Sequence, residues 1–216
     1  MNALIEIPRA RFLSWDDAPR TTLDADSYIV SRDAQPKLIA AVRSHNPMHD
    51  PLGAVLNGEG PEGVKSSTRI ATWSGSLAED LNDDEPLNFM RRGHEAFHAR
   101  CTELHDALIA AGRRLAFIPH HRHLLSDTPS VRAFLDQWAG GPFDIILDPA
   151  LLFAESMFDR AEEHAERMFE LIAPRAIAWR LPLPRRVPAE VGAAIEAAGR
   201  QFDPDLNTAI EVCTGS

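Results

Sequence analysis

Eight short apolar runs recur along the chain, several of them separated by stretches of helical periodicity, and that alternation argues for parallel strands joined by crossovers. The runs are Ala3–Ile7, Ser27–Ser31, Gly53–Asn57, Arg69–Trp73, Leu115–Ile118, Asp144–Leu147, Ala176–Trp179 and Thr208–Val212. Eight strands are the number that closes a strand–helix barrel. The expected fold is therefore of the α/β class: a single compact (β/α)8-type TIM barrel spanning residues 1–216.

The helices are clearest in the second half. From Leu87 to Ala111 the residues Phe89, His94, Phe97, Cys101, Leu104, Leu108 and Ile109 recur at helical spacing, and Gly112 is placed to end the helix in a left-handed conformation. Thr128-Pro129 reads as the start of the next, with Thr128 as cap and Val131, Phe134, Leu135 and Trp138 inward. Phe153 to Ile172 and Pro188 to Phe202 are the third and fourth. The first half is less regular. Pro8 to Ser27 shows no helical stripe, Pro36 to Ser44 supports only a short helix, and residues 57–63 are a glycine-rich loop. The helices of the N-terminal half are thus expected to be reduced, and a partner subunit of a homo-oligomer is expected to shield the exposed wall.

Composition narrows the function classes. With 44% apolar and 25% charged residues the chain is an ordinary globular one, so disorder and fibrous classes are set aside. Acidic residues outnumber basic ones 32 to 22, a formal charge of −10, and a surface of that sign repels a phosphate backbone. The one basic cluster, Arg180 with Arg185 and Arg186, is small and interrupted by prolines, so no nucleic-acid partner is expected. No stretch reaches the roughly 20 apolar residues of a membrane span, and the N-terminus has no leader pattern, which makes a cytoplasmic location the expectation. Cys101 and Cys213 lie in apolar settings without a Cys or His partner at metal-finger spacing and read as buried thiols.

The run Gly112-Arg-Arg-Leu-Ala-Phe-Ile-Pro-His-His121, with Leu124-Leu-Ser-Asp-Thr-Pro129 after it, resembles the fifth strand and following loop of the xylose-isomerase-like, or sugar phosphate isomerase/epimerase-like, TIM barrels. Phe143-Asp-Ile-Ile-Leu-Asp148-Pro149 resembles their sixth strand, Ile70–Gly75 the fourth, Pro174–Arg180 the seventh and Ala209-Ile-Glu211-Val the eighth. The resemblance covers Ile70 to Val212 and rests on the order and spacing of the motifs together. It implies a sugar, polyol or sugar acid handled at the C-terminal mouth, with a divalent cation (Mn, Mg or Zn) held there by oxygen and imidazole ligands. The ligand set is incomplete here. Ile118 stands at the fifth-strand Glu position, Trp179 or Arg180 at the seventh-strand His, and a leucine where a His follows the sixth strand. Asp148 and Glu211 alone remain as metal candidates, so the metal is expected to be weak or absent.

The same two carboxylates, with His120 or His121, are the candidates for proton transfer. For the dense cluster His120, His121 and His123 a second reading stays open, in which the rings cap the barrel mouth. Glu6 is expected to be structural, as the partner of an arginine. Asn57, Trp73, Trp179 and Arg180 are the candidate substrate contacts: an indole stacks on a sugar face and a guanidinium holds a carboxylate or phosphate. His94-Glu95-Ala96-Phe97-His98 matches the HExxH pattern literally, which would make a zinc hydrolase if a third ligand joined it. The functional expectation is a divergent sugar isomerase/epimerase-like protein, with a catalytically silent binding or protein-interaction barrel as the alternative.

Overall fold

A computed structural model describes residues 4–14, 18, 25–50, 69–182 and 186–213. The run Gly53–Asn57, and with it Asn57, lies outside the described residues. Among the described residues eight strands form a closed barrel in sequence order: β1 Leu4–Pro8, β2 Ser27–Ser31, β3 Leu38–Arg43, β4 Arg69–Trp73, β5 Leu115–Ile118, β6 Phe143–Leu147, β7 Ala178–Arg180 and β8 Ala209–Val212. β8 pairs parallel with β1 and closes the ring.

The third strand corrects the sequence reading, which placed a short helix over Pro36 to Ser44. Leu38–Arg43 is β3, paired with β2 on one side and β4 on the other. The segment is built of Leu, Ile, Ala and Val, and pairing on both edges overrides the weak helix preference of its alanines. β2 is the exception to parallel order, running antiparallel to both β1 and β3. The connection 32–37 is far shorter than the dozen or more residues of a parallel crossover, so the chain has to turn back on itself.

The α-helices among the described residues are α1 Arg9–Leu13, α2 Arg91–Ala111, α3 Thr128–Gln137, α4 Pro149–Leu152, α5 Ala161–Leu171 and α6 Ala189–Phe202. α1 was not expected, and its Phe12 stacks on Tyr28 with ring centroids 4.1 Å apart, burying the outer face of β2. α2 ends at Gly112 with φ 62°, as its position in the sequence predicts. The helix buries Gly93, Phe97, Cys101, Leu104 and Leu108, whereas Phe89, His94 and Ile109 face solvent. α3 is capped one residue earlier than expected, by Asp127, in a reciprocal box with Ser130. No helix among the described residues is long and apolar enough to cross a membrane.

Two layers of side chains follow from strand alternation. Leu4, Ile29, Ala40, Val42, Ala71, Ala116, Ile118, Ile146, Ala178 and Ile210 pack together inside the barrel. Ile70, Leu115, Phe117, Phe143, Ile145, Leu147 and Trp179 face outward into the helical layer. Both faces of β5 and β6 are therefore buried from end to end.

Candidate functional site

The loops after β3, β4, β5 and β6, with residues 186–187, enclose a cleft of about 1110 Å³ at the C-terminal end of the parallel strands. Its wall is fixed by two asparagines. Asn46 donates to the carbonyls of Ser76 and Ala78 and accepts from the amides of Met48 and Ser76, tying the β3 loop to the β4 loop. Asn88 donates to Ser76 Oγ (2.9 Å) and to the Arg122 carbonyl (2.8 Å) and accepts from the Leu77 amide, tying the β4 loop to the β5 loop. Gly75, at φ +84°, lies between them, and a Cβ there would meet Met48 Cγ at 3.0 Å and Asn46 Oδ1 at 3.2 Å. Neither asparagine stood out in the sequence, where an isolated Asn in a loop reads only as a turn former.

His120, His121 and His123 line the cleft together with Trp73. The rings of His120 and His121 stack at 4.5 Å and 23°, and those of His120 and His123 lie 4.6 Å apart. Trp73 stands edge-on to His120 and His123 at 6.0 and 5.8 Å. Burial, reinforced by the neighbouring imidazoles, pushes His120 down to about 3. Burial likewise takes His123 down to about 4, against the opposing pull of the Leu81 carbonyl. Both rings are neutral at pH 7, as weak bases but competent hydrogen-bonding groups.

Below the cleft, inside the barrel, runs a chain of charges that is buried at Glu6, Arg180 and Asp148 and reaches the surface at Arg186. Glu6 meets Arg180 at 2.7 Å, Arg180 meets Asp148 at 3.5 Å, and Asp148 meets Arg186 at 3.1 Å. Ser27 Oγ donates to Glu6 at 2.5 Å. Two carboxylates and two guanidiniums balance, which is the condition under which such a group stays buried. Complete burial pushes the Asp148 carboxyl above the usual carboxylate range, while the two guanidiniums pull the other way. Asp148 sits at the N-cap position of α4 but makes no capping bond there. Of this chain, Arg186 alone lines the cleft. The sequence offered Arg186 only as part of a basic cluster, and its pairing with Asp148 reaches across 38 residues.

Three expected site residues are elsewhere. Glu211 points outward on β8, one residue out of phase with the inward Ile210, and pairs with Arg32 at 2.6 Å in a half-exposed bridge. Trp179 also faces outward, buried at 1% exposure against Phe169 and Gly199. Arg180 is inside the barrel, but its guanidinium is taken up by Glu6 and Asp148 and is no free receptor for a ligand. His94, Glu95 and His98 of the HExxH string lie on the solvent side of α2, where Arg91 holds Glu95 at 2.6 Å and Gln137 holds His98 at 2.8 Å. Among the described residues no third His, Cys, Asp or Glu completes a metal-holding group there or in the cleft.

The residues present do not fit a hard divalent cation. Ile118 fills the fifth-strand position inside the apolar layer, Glu211 faces away, and Asp148 is already compensated by two guanidiniums.

The strand order and the cleft at the strand C-termini define an α/β barrel of the TIM type with one reversed strand. No family model matches the chain, and no curated protein does. Among solved structures it is similar to D-psicose 3-epimerase in the presence of D-fructose, with a TM-score of 0.43 and 14% identity over 69% of this chain and 52% of that one. The chain spans about half the length of that epimerase. At this level of likeness the assignment of the barrel rests on its own strand order.

Proposed function

We propose that this chain binds a small sugar, polyol or sugar acid in the cleft at the C-terminal mouth of its barrel, as a divergent relative of the sugar isomerase/epimerase-like proteins. The observation that carries this reading is the pairing of Trp73 with neutral, hydrogen-bonding imidazoles in one cleft. An indole supplies an apolar face for the C–H surface of a polyol, and imidazoles supply donors and acceptors for its hydroxyls. A sugar acid would bring its carboxylate toward Arg186.

A second reading, a barrel that binds without catalysing, is favoured by Asp148. A carboxylate held between Arg180 and Arg186 cannot leave to accept a proton without depriving the buried Arg180 of one of its two counter-charges. One measurement separates the two. Ketohexoses, aldonates and polyols are incubated with the protein in D₂O and followed by saturation-transfer and proton NMR. Saturation transfer without loss of the C–H signal next to a carbonyl is the result expected of a binding module. Deuterium incorporation at that carbon would establish proton transfer and overturn the silent reading, and absence of any saturation transfer would overturn the ligand class itself.

A further inference from the structure

In a neutral imidazole one nitrogen carries the proton and the other a lone pair, so a fixed partner on one side decides what the ring presents on the other. The Arg122 amide donates to His120 Nδ1 at 3.1 Å, which makes that nitrogen the acceptor and places the proton on Nε2. His121 is the reverse. Its Nδ1 lies 3.0 Å from the Leu151 carbonyl oxygen, which can only accept, so Nδ1 carries a proton, and the neutral ring has its lone pair on Nε2. The same carbonyl accepts from the His121 amide at 2.8 Å and fixes the main chain beneath the ring. His123 donates from Nε2 to the Leu81 carbonyl at 3.0 Å, while its Nδ1 is buried without a partner, so it serves as the slab against which His120 packs. The stacking of His120 on His121, ring centroids 4.5 Å apart, thus sets a ring with a donor to spare against a ring with an acceptor to spare in the lining of the cleft, with Trp73 edge-on to His120.

From this geometry we infer that the cleft recognises a vicinal diol: one hydroxyl oxygen accepts from His120 Nε2–H, and the neighbouring hydroxyl donates to His121 Nε2. The inference rests on the reading of the cleft as a polyol site and narrows it. A carboxylate has only acceptors and would leave the His121 lone pair unmet; an ammonium has only donors and would leave the His120 proton unmet. A hydroxyl pair satisfies both, and discrimination against the other ligands comes from the group left unsatisfied.

The test uses the whole chain and two probes of equal hydroxyl count, erythritol, which has vicinal hydroxyls, and pentaerythritol, which has none. Long-range proton–nitrogen NMR of the histidine-labelled protein first reads the tautomers, and titration then reads the affinities. The expected result is Nε2–H on His120, Nδ1–H on His121, and erythritol bound at least about tenfold tighter than pentaerythritol, the ratio that roughly 1.4 kcal/mol represents. His121→Phe is expected to abolish that preference and His121→Gln, which restores an acceptor, to recover most of it. Equal binding of the two probes, or the opposite tautomers, would overturn the diol inference and leave the polyol reading standing. Failure of both probes to bind would overturn both.

Discussion

Asp144 and Asp148 lie at the two ends of the same strand, face the same barrel interior and meet two arginines each. Asp148 is sealed below the cleft. Asp144 closes the opposite end, held by Arg69 at 2.7 Å and by a fork from Arg114 at 2.8 Å. Burial pushes the Asp144 carboxyl up, but the hydrogen bonds from Arg114 and Arg69 outweigh it and hold the group below its ordinary value. A carboxyl depressed in the folded state adds stability that is complete above its unfolded value, about 3.9, and is lost as pH falls through the folded value. Asp144→Asn is therefore expected to destabilise by on the order of 1–3 kcal/mol at pH 7, and the gap to the unsubstituted protein should shrink below about pH 4. Urea titrations at pH 7, 5 and 3 measure this; a gap that stays constant to pH 3 would mean that the carboxylate charge is not what the arginines hold. That Asp148 and the imidazole cluster stand at strand ends was legible in the sequence because each follows an apolar strand; that Asp148 is sealed beneath the cleft by arginines was not. The outward turn of Glu211 and Trp179 was not. Parity of a single residue decides the face, and a strand buried on both sides carries no polar alternation from which to read it.

At the scale of the element, α6 shows how close packing is set by where a side chain is missing. Trp179 leaves β7 outward and brings its six-membered ring up to the helix at Gly199, at right angles to Phe169 with centroids 5.0 Å apart. A Cβ on Gly199 would meet the Trp179 ring at 2.4, 2.7 and 2.9 Å, whereas one on Gly192 would meet only Val187 Cγ2 at 4.0 Å. Both glycines occupy helix interior, where alanine is favoured by up to about 1 kcal/mol. Gly192→Ala is thus expected to raise the thermal midpoint, and Gly199→Ala to lower it, through about 1–3 kcal/mol of overpacking destabilisation against the Trp179 ring. Scanning calorimetry of the two variants checks this, and a stabilised Gly199→Ala protein would show that α6 rides more loosely on β7. The helices of the second half were legible because their apolar stripes are long. β3 was hidden because a short run of Leu, Ile, Ala and Val carries no period that separates strand from helix, and only its pairing partners decide.

For the whole molecule, the question is whether helical layer and barrel open together, and the two cysteines report on it from opposite positions. Cys101 is fully buried on α2, and burial raises its thiol far above the ordinary value, so neither access nor ionisation permits attack in the folded state. Cys213 is partly exposed just past β8, where its amide donates to the Glu6 carbonyl at 2.9 Å and ties the end of the barrel back to β1. Labelling with an aromatic disulfide in buffer should therefore modify one thiol quickly and the second only through unfolding. Cys213→Ser should remove the fast phase entirely. In rising denaturant the slow phase should accelerate with the slope of global unfolding measured by fluorescence, because α2 packs through Phe97 and Leu104 on the same apolar layer that surrounds β5 and β6. A slow phase that is independent of denaturant would show α2 detaching on its own, and the closed barrel would then be stable without its longest helix.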